Sequence, residues 1–187
     1  LAKAEELADF TIVCPHWGTE YSLEKTDEQD QWVNIFYEGG ADLILGTHPH
    51  VIEPVELIHS EDGQNTTVCL YSTGNTISNQ RQELMDSCPS GHTEDGTILS
   101  YTLRKYGDEI SLADVDIIPT WVNKYRGGSG YQYTIYPLES EDFGSTKYSL
   151  DSTAAAKAKK SYNRTKKIVS EGLTEIQKAL GCDITFE

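Results

Sequence analysis

Two apolar runs, each followed at once by histidine, constrain this chain more than any other feature: FTIVCPHWGTEY at residues 10–21 and GADLILGTHPHVIEPVE at residues 40–56. Short continuous apolar runs bounded by Gly and Pro read as strands buried on both faces, as in a parallel sheet. The polar interval between them carries Trp32, Ile35 and Phe36 at helical spacing. A strand, helix, strand unit follows, with its two strand ends at the same edge of the sheet. His16, His48 and His50, three of the five histidines, then fall at that edge. Pro49 biases His48 toward an extended backbone, in which residues i and i+2 point the same way, so His48 and His50 are expected to share one site. Gly46 permits a close backbone turn before them. Imidazole nitrogen suits zinc, manganese and iron, and three such ligands leave coordination positions open for water or substrate. A single His after a strand is ordinarily a capping or packing residue; the paired His-Pro-His is what points to metal.

The remainder of the chain is expected to run as follows. A short helix over residues 2–8 leads into the strand at 10–14. Glu20 is near enough to orient His16 from outside the ligand shell, or is a solvated loop acid. The helix at 27–39 is capped by Asp27 and ended by Gly39-Gly40, with its aromatic stripe in the core. After His50 the pattern turns antiparallel: strands at 51–59 and 66–72 flank Asp62-Gly63, a hairpin signal that leaves His59 exposed. Asn75, in Tyr71-Ser-Thr-Gly-Asn75, either reaches the site or is an ordinary turn residue. Residues 79–96 are polar and read as a mobile loop with His92 in solvent, and a second hairpin turns at Tyr106-Gly107-Asp108. Trp121, Tyr125, Tyr131, Tyr133 and Tyr136 suit a half-buried outer strand, or a surface that stacks on sugar or polymer. Asp151 caps a final helix to Leu180, with Val169, Leu173, Ile176 and Leu180 as its docking stripe and a Lys/Arg cluster from Lys157 to Lys167 in solvent. The expected fold class is α/β with α+β character in the second half, as a body at 1–150 and a packed helix at 151–187.

Charge limits the partners. Of a net −15, residues 1–150 hold 25 acids against 8 bases, and residues 151–187 hold 5 acids against 7 bases. Nucleic acid is excluded, because it requires a basic footprint. No run reaches the roughly 20 apolar residues of a membrane span. The four cysteines lack CxxC spacing, which argues against structural zinc; Cys14 and Cys69 read as buried hydrophobes, and Cys88 and Cys182 are free to pair if close. Neither G-x-S-x-G nor a P-loop is present.

The strings HWGTEY, GADLILGTHPHVIEPVE, YSTGNTISNQ and TEDGTILSYTL occur in that order between Leu7 and Leu138. Together they resemble the bacterial capsule-synthesis CapA family, also called the poly-γ-glutamate biosynthesis family, which is similar to the calcineurin-like metallophosphoesterases. The resemblance implies the C-terminal part of a four-layer α/β/β/α sandwich. It implies His16 and His48 on one divalent metal and His50 on a second, the metals being Mn, Fe or Zn, with Glu20 or Asn75 orienting ligands or substrate. The family's early Asp, Asn-Glu and Asn-His motifs have no counterpart here, so the expectation is the C-terminal portion of a longer protein, binding metal weakly or not at all by itself and inactive alone. Implied partners are an anionic polymer or a small phosphoester or amide substrate, with membrane-associated capsule machinery at the extracytoplasmic face. A non-enzymatic polymer-binding or export factor on the same fold is the alternative.

Overall fold

The computed structural model describes residues 1–59, 66–88, 90–139, 142–143 and 148–186. In chain order these form α1 (Ala2–Glu5), β1 (Ile12–Val13), α2 (Asp27–Glu38), β2 (Leu43–Leu45), β3 (Val55–His59), β4 (Thr66–Leu70), β5 (Asp95–Tyr106), β6 (Glu109–Gly127), β7 (Gly130–Pro137) and α3 (Ser152–Leu180), with 3-10 turns at Gln82–Leu84 and His92–Glu94. The first sheet has the order β1-β2-β4-β3, with parallel pairs β1·β2 and β2·β4 and an antiparallel β3·β4 pair. The second is the antiparallel meander β5-β6-β7. The fold is therefore α/β, with the antiparallel character concentrated in the second half. Asp62-Gly63, the hairpin signal between β3 and β4, lies outside the described residues.

α2 packs Val33 and Phe36 on one face of the first sheet, against Ile44, Cys69 and Tyr71. The opposite face contributes Leu43, Val55, Val68 and Leu70 to a larger core shared with Val115, Ile117 and Trp121 of β6 and with Val169, Leu173 and Ile176 of α3. α3 begins where Asp151 accepts a hydrogen bond from Ala154 N at 2.8 Å and ends at Gly181 in the left-handed region. It lies against β3 so closely that a Cβ on Gly172 would sit 1.8 Å from Val55 O, and Gln177 Nε2 donates to Val115 O at 2.9 Å.

Several expectations are corrected. The α2 N-cap is Thr26, not Asp27: the Thr26 side chain accepts from Gln29 N, and the Gln29 side chain accepts from Thr26 N, a reciprocal capping box. Trp32 and Ile35 are 44% and 52% exposed, while Gln29 and Val33 are buried. The docking stripe is Gln29, Val33 and Phe36 at i, i+4 and i+7; a polar residue at its first position hides it from hydrophobic periodicity. β1 is a two-residue edge strand, which leaves Ile12 and Cys14 exposed. All four cysteines, Cys88 and Cys182 included, are free thiols.

Of residues 79–96, expected to be mobile, 79–88 and 90–96 are described and are stapled down. Arg81 is 2% exposed, pairs with Glu94 at 2.8 Å and donates to Val122 O. Arg164 of α3 grips both oxygens of buried Asp95 at 2.6 Å each. The bidentate Arg164–Asp95 pair fixes geometry as well as supplying energy. His92 is half-buried, its pKa lowered to about 4 by burial and by the nearby Arg164 and Lys167 cations.

Candidate metal centre

The two histidine loops leave adjacent strands β1 and β2 and stay joined beyond them. Thr47 N donates to Pro15 O at 3.0 Å and Trp17 N to Thr47 O at 3.1 Å, so His16 and Thr47 form one more parallel bridge. Gly46 has no room for a side chain: a Cβ there would lie 1.8 Å from Tyr71 O and 2.4 Å from Trp17 Nε1, where that indole donates to Tyr71 O at 2.8 Å. The glycine is required by this close packing and not by a turn.

Beyond Thr47 the backbone is not extended. His48 has φ +104° and His50 φ +60°, and Tyr21, whose N–H donates to Pro49 O at 2.8 Å, has φ +65°. Positive φ at a non-glycine residue costs roughly 1–3 kcal/mol and persists only where surrounding structure imposes it. The two imidazoles do converge, but through a strained bend held by Pro49 and Tyr21 and not through the alternation of a strand.

Convergence is tightest among Glu20, His48 and His50, each of which offers one ligand atom within 4.8 Å of the others. The Glu20 carboxylate lies 3.7 Å from His50 Nε2, so its partner is His50, and the expected role of orienting His16 is not what the geometry provides. His16 sits against His48, ring centroids 4.5 Å apart, with Nδ1 3.5 Å from Thr47 Oγ1. His48 and His50 have ring centroids 6.2 Å apart.

Asn75 sets the tautomer of His50. Its Nδ2 donates to Thr93 O at 3.1 Å and to Gln80 Oε1 at 2.9 Å, which identifies Oδ1 as the atom 3.1 Å from His50 Nδ1. An amide oxygen can only accept, so His50 Nδ1 is the donor to Asn75, and Nε2 is left facing the Glu20 carboxylate. Gln80 Nε2 in turn donates to Tyr21 OH at 3.2 Å, and the Tyr21 ring stacks on His50 at 5.9 Å. Tyr21, Gln80 and the Thr93 carbonyl escaped sequence reasoning. Tyr21 closes the HWGTEY string and Gln80 the YSTGNTISNQ string, but nothing in their residue types indicated a ring closing around one imidazole.

The donor chemistry fits a divalent cation. Bonds of about 2.0–2.2 Å to imidazole and carboxylate require the three ligand atoms to draw in by roughly 1 Å from their present spacing. Among the described residues the three converging ligand groups are one carboxylate and two imidazoles. A groove of about 440 Å³ opens beside His16 and His48, walled by Trp32, Phe36 and Glu28. The exposure of Trp32 is thus explained by a groove next to the histidines.

Buried beneath the site is an unused acid. Glu53 is 0% exposed; Oε2 accepts from Gln29 Nε2 at 2.7 Å, and Oε1 has no partner among the described residues. Burial pushes its pKa up to about 7, and the Gln29 hydrogen bond offsets this only in part.

Residues 1–80, which carry both histidine loops and Asn75, match the family model described as bacterial capsule synthesis protein PGA_cap. Over that span the chain is similar to the PGA_cap family. It is 36% identical over 118 residues to the PGA biosynthesis protein CapA of Bacillus subtilis (strain 168), covering 63% of this chain and 27% of that protein. It is 30% identical over 112 residues to the capsule biosynthesis protein CapA of Bacillus anthracis, covering 60% of this chain and 23% of that protein. The chain spans about a quarter of the length of these curated relatives. The PGA_cap match ends just before the Arg-stapled segment, so α3 and the second sheet lie outside it. Among the described residues no helix is long and apolar enough to cross a membrane.

Proposed function

We propose that this chain contributes the histidine side of a metal centre in a capsule-assembly or poly-γ-glutamate-assembly protein. The observation that carries the reading is the convergence of Glu20, His48 and His50, with one imidazole tautomer already set by Asn75. His48, His50 and Glu20 would hold a divalent cation of the Mn, Fe or Zn type, and His16 stands beside them for a shared or second ion. Such an ion, when bound, supplies Lewis-acid polarisation and lowers the pKa of water, the chemistry of phosphoester and amide hydrolysis. The protein's part is orientation: Asn75 keeps His50 Nε2 facing Glu20, Tyr21 fixes the ring plane, and the groove at Trp32 and Phe36 provides room for substrate beside His16. The names of the relatives support a role in capsule or PGA biosynthesis; the extracytoplasmic face, with membrane-associated machinery, is the setting we propose for it. A second reading, polymer binding or export without hydrolysis, is supported by the exposed tyrosine and lysine face of β6 and β7.

Calorimetric titration with Mn²⁺ and Zn²⁺ tests the first reading. We expect weak binding that drops at least a hundredfold in the His48→Ala, His50→Ala double variant, and by about 10–100-fold in Asn75→Leu, the usual effect of removing a group that orients a ligand. Equal affinity in the double variant, or no binding by the parent chain, removes the metal centre.

A further inference from the structure

Glu28 and Trp32 stand four residues apart on α2, so their side chains are neighbours on one face of the helix. It is not the face that packs on the sheet: Gln29 and Val33 are buried, whereas Glu28 is exposed and Trp32 is 44% exposed. The Trp32 ring is held from behind. It stacks on Phe36 with centroids 5.7 Å apart, Phe36 on Trp17 at 6.0 Å, and Trp17 on Tyr71 at 6.1 Å. Trp32 is thus the outermost of four stacked rings, fixed by packing and still open to the groove of about 440 Å³ that His16 and His48 border.

The charge of this groove is one-sided. Its lining holds a single carboxylate, Glu28, and neither Lys nor Arg. α2 carries no basic residue, and Lys25, just ahead of it, is engaged by Asp30 at 2.9 Å and Glu56 at 2.8 Å. Glu28 itself makes no ion pair among the described residues. An anionic ligand would meet a carboxylate with no counter-charge beside it, and a purely apolar one would strip water from Glu28 without replacing it. A cation with apolar substituents suits both walls.

We propose that the groove binds an organic ammonium group, seated over the Trp32 indole and paired with the Glu28 carboxylate. The ring quadrupole attracts a cation, most strongly for Trp, and the attraction grows as the site sheds water. Pro15 and Phe36 offer apolar contact to the alkyl substituents. Because His16 and His48 line the same groove, an ammonium held there lies beside any bond presented to the histidines. The substrate this implies is a phosphoester or amide carrying an ammonium on one side of its scissile bond; that part rests on the metal-centre reading, and the ammonium site itself does not.

Choline, titrated in the presence of EDTA, tests the site without metal. Of the three tryptophans, Trp17 and Trp121 are 9% and 0% exposed, so a ligand-dependent change in emission reports chiefly on Trp32. Saturation-transfer NMR on the choline methyl protons measures affinity in variants that lack the indole. Binding should be saturable, at least fivefold tighter than that of 3,3-dimethylbutanol, the uncharged isostere of choline, and at least fivefold weaker in Glu28→Gln and in Trp32→Leu. Both positions are exposed, so these variants should keep the parent's circular dichroism, and Trp32→Phe, which retains a ring, should lose less than Trp32→Leu. Neither residue is a ligand of the metal centre, so Mn²⁺ affinity should stay within threefold in both, and the two readings fail separately. No saturable choline binding, equal affinity for the isostere, or unchanged choline affinity in either Glu28→Gln or Trp32→Leu overturns the proposal.

Discussion

The middle strands of the first sheet are sealed on both faces, with Leu43, Ile44, Cys69 and Leu70 each at 0% exposure, whereas the second sheet runs out into solvent, with Tyr106 at 84% and Tyr131 at 63%. That difference decides where chemistry can be placed. A sealed sheet cannot relax, so it imposes positive φ on His48 and His50 at its rim and keeps three imidazoles close together. The open ribbon imposes nothing comparable; its Lys124, Tyr131 and Tyr133 are arranged by cross-strand register and by hydrogen bonds from Lys124 and Tyr133 to Asn79. Between the two regions, the buried pairs Arg81–Glu94 and Arg164–Asp95 tie the loop after Asn75 to β6 and α3, so the second half of the chain braces the site without entering it.

Four substitutions probe this contrast, from the largest effect downward. Gly46→Ala should unfold the first sheet or cost more than about 4 kcal/mol, since its Cβ would overlap Tyr71 O; a normal denaturation midpoint would mean that the sealed sheet does yield. Arg164→Met leaves Asp95 buried without its partner and should cost about 3–5 kcal/mol, measured by urea unfolding. A loss below 1 kcal/mol would show that the brace between the halves is ornamental. Glu53→Gln tests the sealed interior by pH. The Glu53 pKa is raised in the folded state, from 4.5 to about 7. Its stabilising contribution is therefore complete below the unfolded value and is lost as pH climbs toward 7. That amounts to about 3 kcal/mol at 1.36 kcal/mol per unit, and the variant's stability curve should lack this decline. His48→Gly should be more stable than His48→Ala by about 1 kcal/mol, because only glycine accepts φ +104° without strain. Equal melting temperatures would place the strain elsewhere.

Composition and local pattern carried much of the architecture. Asp151 and Gly181 bound α3, and Val169, Leu173 and Ile176 dock it, because caps and a 3.6-residue period are local properties written in neighbouring residues. The parallel pair β1·β2 and the two histidine loops at one edge follow from a strand, helix, strand unit for the same reason. The α2 face was misread because Gln29 enters the core to meet Glu53, a residue 24 positions away whose presence no helical period announces. The loop at 79–96 looked mobile because its anchors, Val122 and Arg164, lie 41 and 69 residues from the groups they hold. The identity of the site residues was thus local information, while their pairing was not. That Glu20 faces His50, that Asn75 assigns the proton of one imidazole, and that Gly46 answers a backbone from another strand are outcomes of packing, which brings distant residues to within a hydrogen bond and leaves no trace of the meeting in the order of the chain.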